Sequence, residues 1–586
     1  MKHVERAAEV PACWTLSFDL SAGADGPLLE VRAGEKQVLT VSREGGLSVC
    51  IHTDWAVKTS GFGGNPTFDF TLNTAKTAGH FEVCWRGYSV RLCADGCLED
   101  EEWPLGEVPP CPWDVFCADA VSGTEIREAA GTAEDPEVRF EGAFHIYNHP
   151  GSNTGVGDCM PFDRDGRWCL YYLLDRRGHR SKKGLGAHQW AQVSTEDLRH
   201  WTIHPMAVGI TEQWEGSICT GSLIRKDDKI YAFYAVRMSD GSPALLTWAV
   251  SGDGVHFEKS GVTFSLTDPY EPVSARDPKV FFGADGLYHM LVTTSLKDGG
   301  RFGGCLAHLT SPDLTAWTQR EPFIVPGYSD QPECSDYFEW NGWYYLVFSN
   351  FAIGRYRMSR SPFGPWIRPE NDLLDALEVQ VPKTAPFGER RFSSGFLARR
   401  PRAYAGDAVT HEIYQRPDGT LGVKHAEEML PGAKKVFSFP PVELRSGGGR
   451  AGEELPPAEG DFRLKAVMKP AAAATLFGIN LKLAGEDGSG GHSCRIEFDP
   501  AAGTAVIVRP REDFGRGAGR DLLRNLNLRR GTAIDLTLCG NILDMALSDG
   551  RMMTIRLDEE VTDGTRVEFY ALAGDVSVEG IEWTAY

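Results

Sequence analysis

Asn341-Gly-Trp-Tyr-Tyr-Leu-Val-Phe348 reads as one tight turn followed by a strand that is aromatic or aliphatic along its whole length. Glycine supplies the positive φ that a tight hairpin connection demands. The phrase recurs as Asp165-Gly-Arg-Trp-Cys-Leu-Tyr-Tyr-Leu173, Asp228-Lys-Ile-Tyr-Ala-Phe-Tyr-Ala235, Asp285-Gly-Leu-Tyr-His-Met-Leu-Val292 and Glu389-Arg-Arg-Phe-Ser-Ser-Gly-Phe396. Several copies are followed by a second phrase with an early Ser and a late Trp or Phe: Ser194-Thr-Glu-Asp-Leu-Arg-His-Trp201, Ser251-Gly-Asp-Gly-Val-His-Phe257, Ser311-Pro-Asp-Leu-Thr-Ala-Trp317 and Ser359-Arg-Ser-Pro-Phe-Gly-Pro-Trp366. Equivalent points lie roughly fifty to sixty residues apart, the length of a four-stranded blade with extended loops. Five copies imply five blades.

Outward from this repeat, the flanks change pattern. Trp14–Leu20, Val38–Val41, Leu47–Ile51, Phe68–Leu72, His80–Trp85 and Ser89–Cys93 alternate apolar with polar residues between Gly, Asn and Asp turns. Strands with one buried and one wet face read this way, as in a β-sandwich. Phe462–Met468, Thr475–Leu483, Cys494–Phe498, Thr532–Leu538 and Val567–Leu572 repeat the pattern near the other end. The expected fold is all-β: an accessory, lectin-like N-terminal β-sandwich over 1–130, a five-bladed β-propeller over 140–435, and a C-terminal β-sandwich over 458–586. The stretch 129–136 reads as a linker. So does Pro440–Pro457, rich in Pro, Gly, Glu and Arg.

A chain of 586 residues is too long for one hydrophobic core, which agrees with several units. Its net charge of -21 argues against nucleic acid, whose phosphates require Lys and Arg. A neutral small molecule, a carbohydrate, fits better. The opening residues lack an apolar core of signal-peptide length, and no apolar run is long enough to span a bilayer. A soluble, cytoplasmic protein without membrane association is expected. The fourteen Cys are sparse for the length and many sit in strand-like runs, so reduced thiols are expected. Cys93 and Cys97 lack a second pair at zinc-site spacing, and neither a phosphate-binding loop nor a His-Glu-x-x-His or Gly-x-Ser-x-Gly motif occurs. No metal and no cofactor are expected.

Three acids stand beside blade strands: Asp158 in Gly-Asp-Cys-Met-Pro-Phe, Asp277 in Ala-Arg-Asp-Pro, and Glu333 in Pro-Glu-Cys-Ser-Asp. A propeller brings the starts of equivalent strands to one axis. A single acid is ordinarily a solvated loop residue or a cap. Three at corresponding places form the carboxylate cluster that hydrolysis of a glycosidic bond requires. Arg276 is placed to orient Asp277, or to form a structural ion pair. His188, Gln189, Trp190, Trp214 and Ser217 are candidate substrate contacts, although aromatic residues mostly pack.

At these residues the chain resembles glycoside hydrolase family 32, the β-fructosidases that include invertases, inulinases and levanases. Arg276-Asp277-Pro278 is like the family's Arg-Asp-Pro motif and Glu333-Cys334 like its Glu-Cys motif. Trp190-Ala-Gln-Val-Ser-Thr-Glu-Asp-Leu-Arg-His-Trp201 is similar to the stretch after the family's nucleophile strand, and Trp214 with Cys219-Thr-Gly-Ser222 looks like its Trp and Ser-Gly-Ser segment. The resemblance implies that Asp158 is the nucleophile, Glu333 the acid/base and Asp277 the residue that binds sugar hydroxyls and stabilises the transition state. It implies retaining cleavage of terminal β-fructofuranosyl groups from sucrose or fructo-oligosaccharides. Gly157-Asp158-Cys159-Met160-Pro161-Phe162 departs from the family's Asn-Asp-Pro-Asn by lacking both Asn, and the N-terminal sandwich is a second departure. An arabinan- or xylan-directed furanosidase of a related five-bladed family, and a non-catalytic sugar-binding protein, are the alternative readings.

Overall fold

The computed structural model describes residues 1–7, 9–54, 67–104, 108, 112–129, 137–142, 146–399, 404–482, 493–508, 522–557 and 564–586. Most of the expected linker 129–136 lies outside them. Among the described residues helix is confined to Ser181–Gly184 and three short 3-10 turns, and no helix is long and apolar enough to cross a membrane. The fold is a five-bladed β-propeller between two β-sandwiches.

The inner strands of the blades are Thr154–Arg164, Glu215–Lys226, Arg276–Phe282, Glu333–Trp340 and Val379–Phe387. Each pairs antiparallel with the strand that carries the repeated aromatic phrase. That second strand packs against a neighbouring blade on either face, so Arg167–Arg176 and Lys229–Met238 are buried nearly throughout and read as continuous apolar runs. Separate apolar clusters fill the space between successive blades. The cluster between blades 5 and 1 joins Trp168, Tyr172, Phe392 and Ala408. Ile146–Tyr147, which precedes blade 1, pairs with Val409 and Ala408 of blade 5 and ties the ring shut.

The second phrase of the repeat is a turn. Asp253 Oδ1 accepts the N–H groups of Val255 and His256, and Asp313 Oδ1 those of Thr315 and Ala316. Asp197 Oδ1 does the same for Arg199 and His200. Such a carboxylate replaces backbone partners that the turn leaves unpaired. The late Trp201 and Trp317 each return an indole N–H to the carbonyl three residues back.

In the N-terminal sandwich a six-stranded and a five-stranded sheet share one core around Leu16, Phe18, Val31, Val49, Phe81 and Leu92. Strands with strong alternation, such as Trp14–Leu20, were legible from sequence. Gly26–Ala33, Cys97–Glu102 and Trp113–Cys117 carry Gly, acidic or Pro-flanked ends and were not. In the C-terminal sandwich, Lys435–Ser438 and Val442–Leu444 pair with Val576–Ala585, and Arg450–Glu454 pairs with Arg566–Leu572. The stretch expected as a linker thus supplies edge strands, and this unit's sheets begin at Lys435. Edge strands tolerate Pro, Gly and charge because one side has no ladder partner.

Candidate active site

Every inner strand carries one extra residue near its start. The register against the second strand slips between Val156 and Cys159, Ile218 and Gly221, Arg276 and Lys279, Glu333 and Asp336, and Gln380 and Lys383. A bulge of this kind bends the strand and re-aims a side chain, and five of them face the propeller axis. The pairs inside the bulges are Gly157–Asp158, Cys219–Thr220, Asp277–Pro278, Cys334–Ser335 and Val381–Pro382. Asp277, Cys334 and Val381 have φ of 56°, 49° and 44°. The three acids stand at the bulges but not on one rung: Glu333 stands just before its bulge, Asp277 first within its own, Asp158 second.

The bulges bring the acids together. Asp158 and Asp277 carboxylate oxygens and the Cys334 Sγ lie within 4.8 Å of one another. Cys334 donates its N–H to Asp277 Oδ2 at 3.0 Å, and its thiol reaches Asp158 Oδ2 at 3.3 Å. Burial, with both carboxylates beside it, pushes that thiol well above its ordinary range, so it acts as a donor and not as a thiolate. Asp158 is further held by hydroxyls: Tyr404 donates to Oδ1 at 2.8 Å, and Thr220 donates to Oδ2. Burial is also the main cause that raises Asp277, with Arg276 opposing and Asp158 adding.

Glu333 accepts Arg276 Nη2 at 2.9 Å, and Arg276 Nε stands 3.7 Å from Asp277. Burial pushes Glu333 up to about 7; Arg276 works against that rise, while Asp277 and Asp158 add to it. Arg276 is itself fixed by the Ser274 carbonyl and the Gln331 side chain. A neutral acid beside a held carboxylate is the arrangement that separates proton donor from nucleophile.

The other candidates divide. Ser217 is buried and accepts the His188 N–H at 3.1 Å. His188 Nε2 meets Asp175 Oδ1 at 2.9 Å, and its ring stacks on Tyr404 at 4.9 Å between centroids. These two stand behind Asp158. Gln189 faces away, bonding Glu101 of the N-terminal sandwich and the Ile210 N–H. Trp190 is wholly buried between blades 1 and 2, with its indole N–H on the Cys219 carbonyl. Trp214 is 40% exposed in the loop before the inner strand of blade 2.

Sequence reading missed Thr220, Tyr404, Asp175 and His179, and also a charged tier one step below the acids. Lys279, Asp336 and Lys383 occupy the same position, the first rung past the bulge in blades 3, 4 and 5. Lys279 pairs with Asp336 at 2.7 Å, Thr384 donates twice to Asp336 Oδ2, and Lys383 donates to the Gly221 carbonyl at 2.7 Å. The signal was present as Lys279 two residues after Asp277 and Asp336 three residues after Glu333; Lys383 follows no motif acid. Tyr404 carried none, being one aromatic in a polar loop.

Residues 160–359 match the model of the glycosyl hydrolases family 32 N-terminal domain. The match takes in Arg276-Asp277-Pro278 and Glu333-Cys334 and begins two residues after Asp158. The sucrose-6-phosphate hydrolase of Bacillus subtilis (strain 168) is 32% identical over 179 residues, 28% of this chain and 36% of that protein. The sucrose-6-phosphate hydrolase of Escherichia coli is 29% identical over 181 residues, 29% and 37% of the two chains. The chain thus spans little more than a third of the length of these relatives. Among solved structures, fructan 1-exohydrolase IIa from Cichorium intybus superposes with a TM-score of 0.59 at 12% identity, covering 76% of this chain and 97% of that one. Sucrose-6-phosphate hydrolase from Lactobacillus gasseri gives 0.58 at 17%, covering 76% and 93%. Both likenesses are of fold.

Proposed function

From a propeller of the glycoside hydrolase family 32 kind, we propose that the chain is a glycosidase that cleaves terminal β-fructofuranosyl groups from sucrose or fructo-oligosaccharides. The observation that carries this is the axial set Asp158, Asp277 and Glu333, in which burial raises Glu333 to about 7. Asp158 is the nucleophile: its oxygens are oriented by Thr220 and Tyr404, which serve where the family's Asn residues are absent. Glu333 protonates the leaving oxygen and, after the fructosyl group has moved to Asp158, draws the proton from the incoming water. Asp277, fixed by the Cys334 N–H, accepts sugar hydroxyls beside the reacting carbon. Arg276 contacts both Glu333 and Asp277 and limits how far the acid's pKa rises.

Product analysis against a panel of fructosides and arabinosides tests the reading, with the anomeric configuration of the first product followed by NMR. Release of β-fructose from sucrose or a fructan is expected. Release of arabinose, an inverted first product, or no cleavage of any fructoside would overturn it.

A further inference from the structure

The end of the second strand of blade 1 and the loop that follows it gather three groups of metal-ligand type that the proposed cleavage does not use. His188 Nε2 lies 2.9 Å from Asp175 Oδ1 and 3.3 Å from His179 Nδ1, and the three ligand atoms all fall within 4.8 Å of one another. Asp175 and His188 are buried; His179 is partly exposed. Bonds of about 2.0–2.1 Å to a tetrahedral zinc ion would space ligand atoms at about 3.3 Å, near the 2.9 and 3.3 Å that separate His188 from its two neighbours.

Proton placement limits what these three groups can do alone. A carboxylate carries none and a neutral imidazole carries one. If His188 Nε2 is protonated toward Asp175, a proton on His179 Nδ1 points at another donor. If the His179 proton moves to Nε2, it points at Arg237 Nη1, 3.4 Å away. If the His188 proton moves to Nδ1, the Nε2 lone pair faces the carboxylate. With Arg237 in its present place each of these assignments opposes two like groups, whereas a cation at the convergence uses all three lone pairs.

Space is reserved there as well. Gly186 has φ of 100°, and a Cβ on it would come within 2.9 Å of His179 Cε1, 3.1 Å of His179 Nδ1 and 3.2 Å of His188 Cε1. Only glycine leaves the gap between the rings clear. Asp175 Oδ1 also accepts the His179 N–H at 2.8 Å, which draws the second ring over the first. Arg237 is exposed and also reaches the Leu185 carbonyl at 3.4 Å, so it can turn from His179 when that ring's Nε2 carries the proton.

We propose that Asp175, His179 and His188 form a site for a divalent cation of the zinc type, with a remaining position open to solvent on the His179 side. Two imidazoles and one carboxylate suit a borderline ion better than Ca²⁺ or Mg²⁺, which take oxygen ligands. The ion would stand behind Tyr404, whose ring stacks on His188 and edges His179, and so brace the residue that orients Asp158. The proposal is independent of which sugar the protein cleaves.

The test is direct binding to the full chain, stripped with a chelator and dialysed against Zn²⁺ or Co²⁺. About one Zn²⁺ per chain should survive gel filtration, and Co²⁺ should give the visible absorption of four-coordinate cobalt, bleached by Zn²⁺. His179→Ala should weaken binding by more than about tenfold, since changes merely behind a ligand cost about 10- to 100-fold. Arg237→Gln should leave affinity unchanged or raise it, because it removes a donor from His179. No retained ion in the unmodified chain, no cobalt absorption, equal binding by His179→Ala, or loss of binding in Arg237→Gln would each overturn the site.

Discussion

Glu333 is the residue whose charge state decides activity on this reading, and two neighbours pull it in opposite directions. Burial sets it near 7, Arg276 restrains the rise and Asp277 promotes it. A general acid works only while protonated, so kcat/KM should fall as pH climbs through about 7. Arg276→Gln removes the restraint and should move that alkaline limb upward in whatever activity remains; a limb that stays or drops would refute the coupling. Glu333→Gln should cost about 10²–10⁴-fold on substrates with poor leaving groups and much less on an activated aryl fructoside. Azide should then give a fructosyl azide of retained configuration from the same variant. For the nucleophile, Tyr404→Phe deletes the 2.8 Å bond to Oδ1 of Asp158 and leaves the ring that stacks on His188. A fall in kcat of about 10- to 100-fold, with KM little changed, is expected from losing one charge-assisted bond of about 1.5–3 kcal/mol.

At the scale of the element, the bulge and the turn do different work. Five identical register slips put one residue too many at the start of every inner strand, and that surplus turns chain ends into a site. Close packing follows from it. Gly221 sits on the rung after the second bulge, and a Cβ there would lie 1.8 Å from the Phe233 carbonyl and 3.0 Å from Trp190. Gly221→Ala should destabilise the chain by about 1–3 kcal/mol or more through forced backbone shifts, seen as an earlier urea midpoint. The turn at the far end of the blade is plainer. Asp313→Ala leaves two backbone N–H groups without their acceptor and should cost about 1 kcal/mol, as loss of a helix cap does. Activity at saturating substrate should be unchanged by it, because the turn lies at the opposite end of its strand from the acids.

For the whole molecule, both sandwiches are docked by buried charge. The N-terminal sandwich presents Asp100, Glu101 and Glu102 to the loop that carries His179 and His188: Arg177 binds Asp100 at 2.8 Å, and Glu102 accepts the Lys182 N–H at 2.7 Å. Trp103 follows them into the core between blades 1 and 2. Arg177→Ala should cost about 3 kcal/mol, because it strands buried carboxylates; a double-mutant cycle with Asp100→Ala should recover part of that loss. On the other side His411 of blade 5 is wedged between Asp375 at 2.7 Å and Asp544 of the C-terminal sandwich at 3.1 Å. The two carboxylates overcome burial and raise His411 from 6.5 to about 10. A group raised on folding stabilises fully below its unfolded value and loses that contribution as pH rises through the folded one. Tm should therefore decline between about 6.5 and about 10, and His411→Gln should flatten the decline.

What the sequence determined was whatever repeats locally. A turn and an apolar strand recurring at blade length carry the propeller, since a second strand packed on both faces has no choice but to be apolar. Alternation carries most of each sandwich, and three motif acids carry the family resemblance. Edge strands such as Val442–Leu444 escaped because half their hydrogen bonds and burial are missing, leaving composition free to look like a linker. The site's second half escaped for another reason. Thr220 and Tyr404 meet Asp158 only because the ring closes and brings blades 2 and 5 beside blade 1, while Asp175 and His179 meet His188 through the conformation of one loop of blade 1. The stagger of the acids within the bulges belongs to that closure too: one inserted residue reverses which face of a strand a side chain occupies, and no spacing along the chain records it.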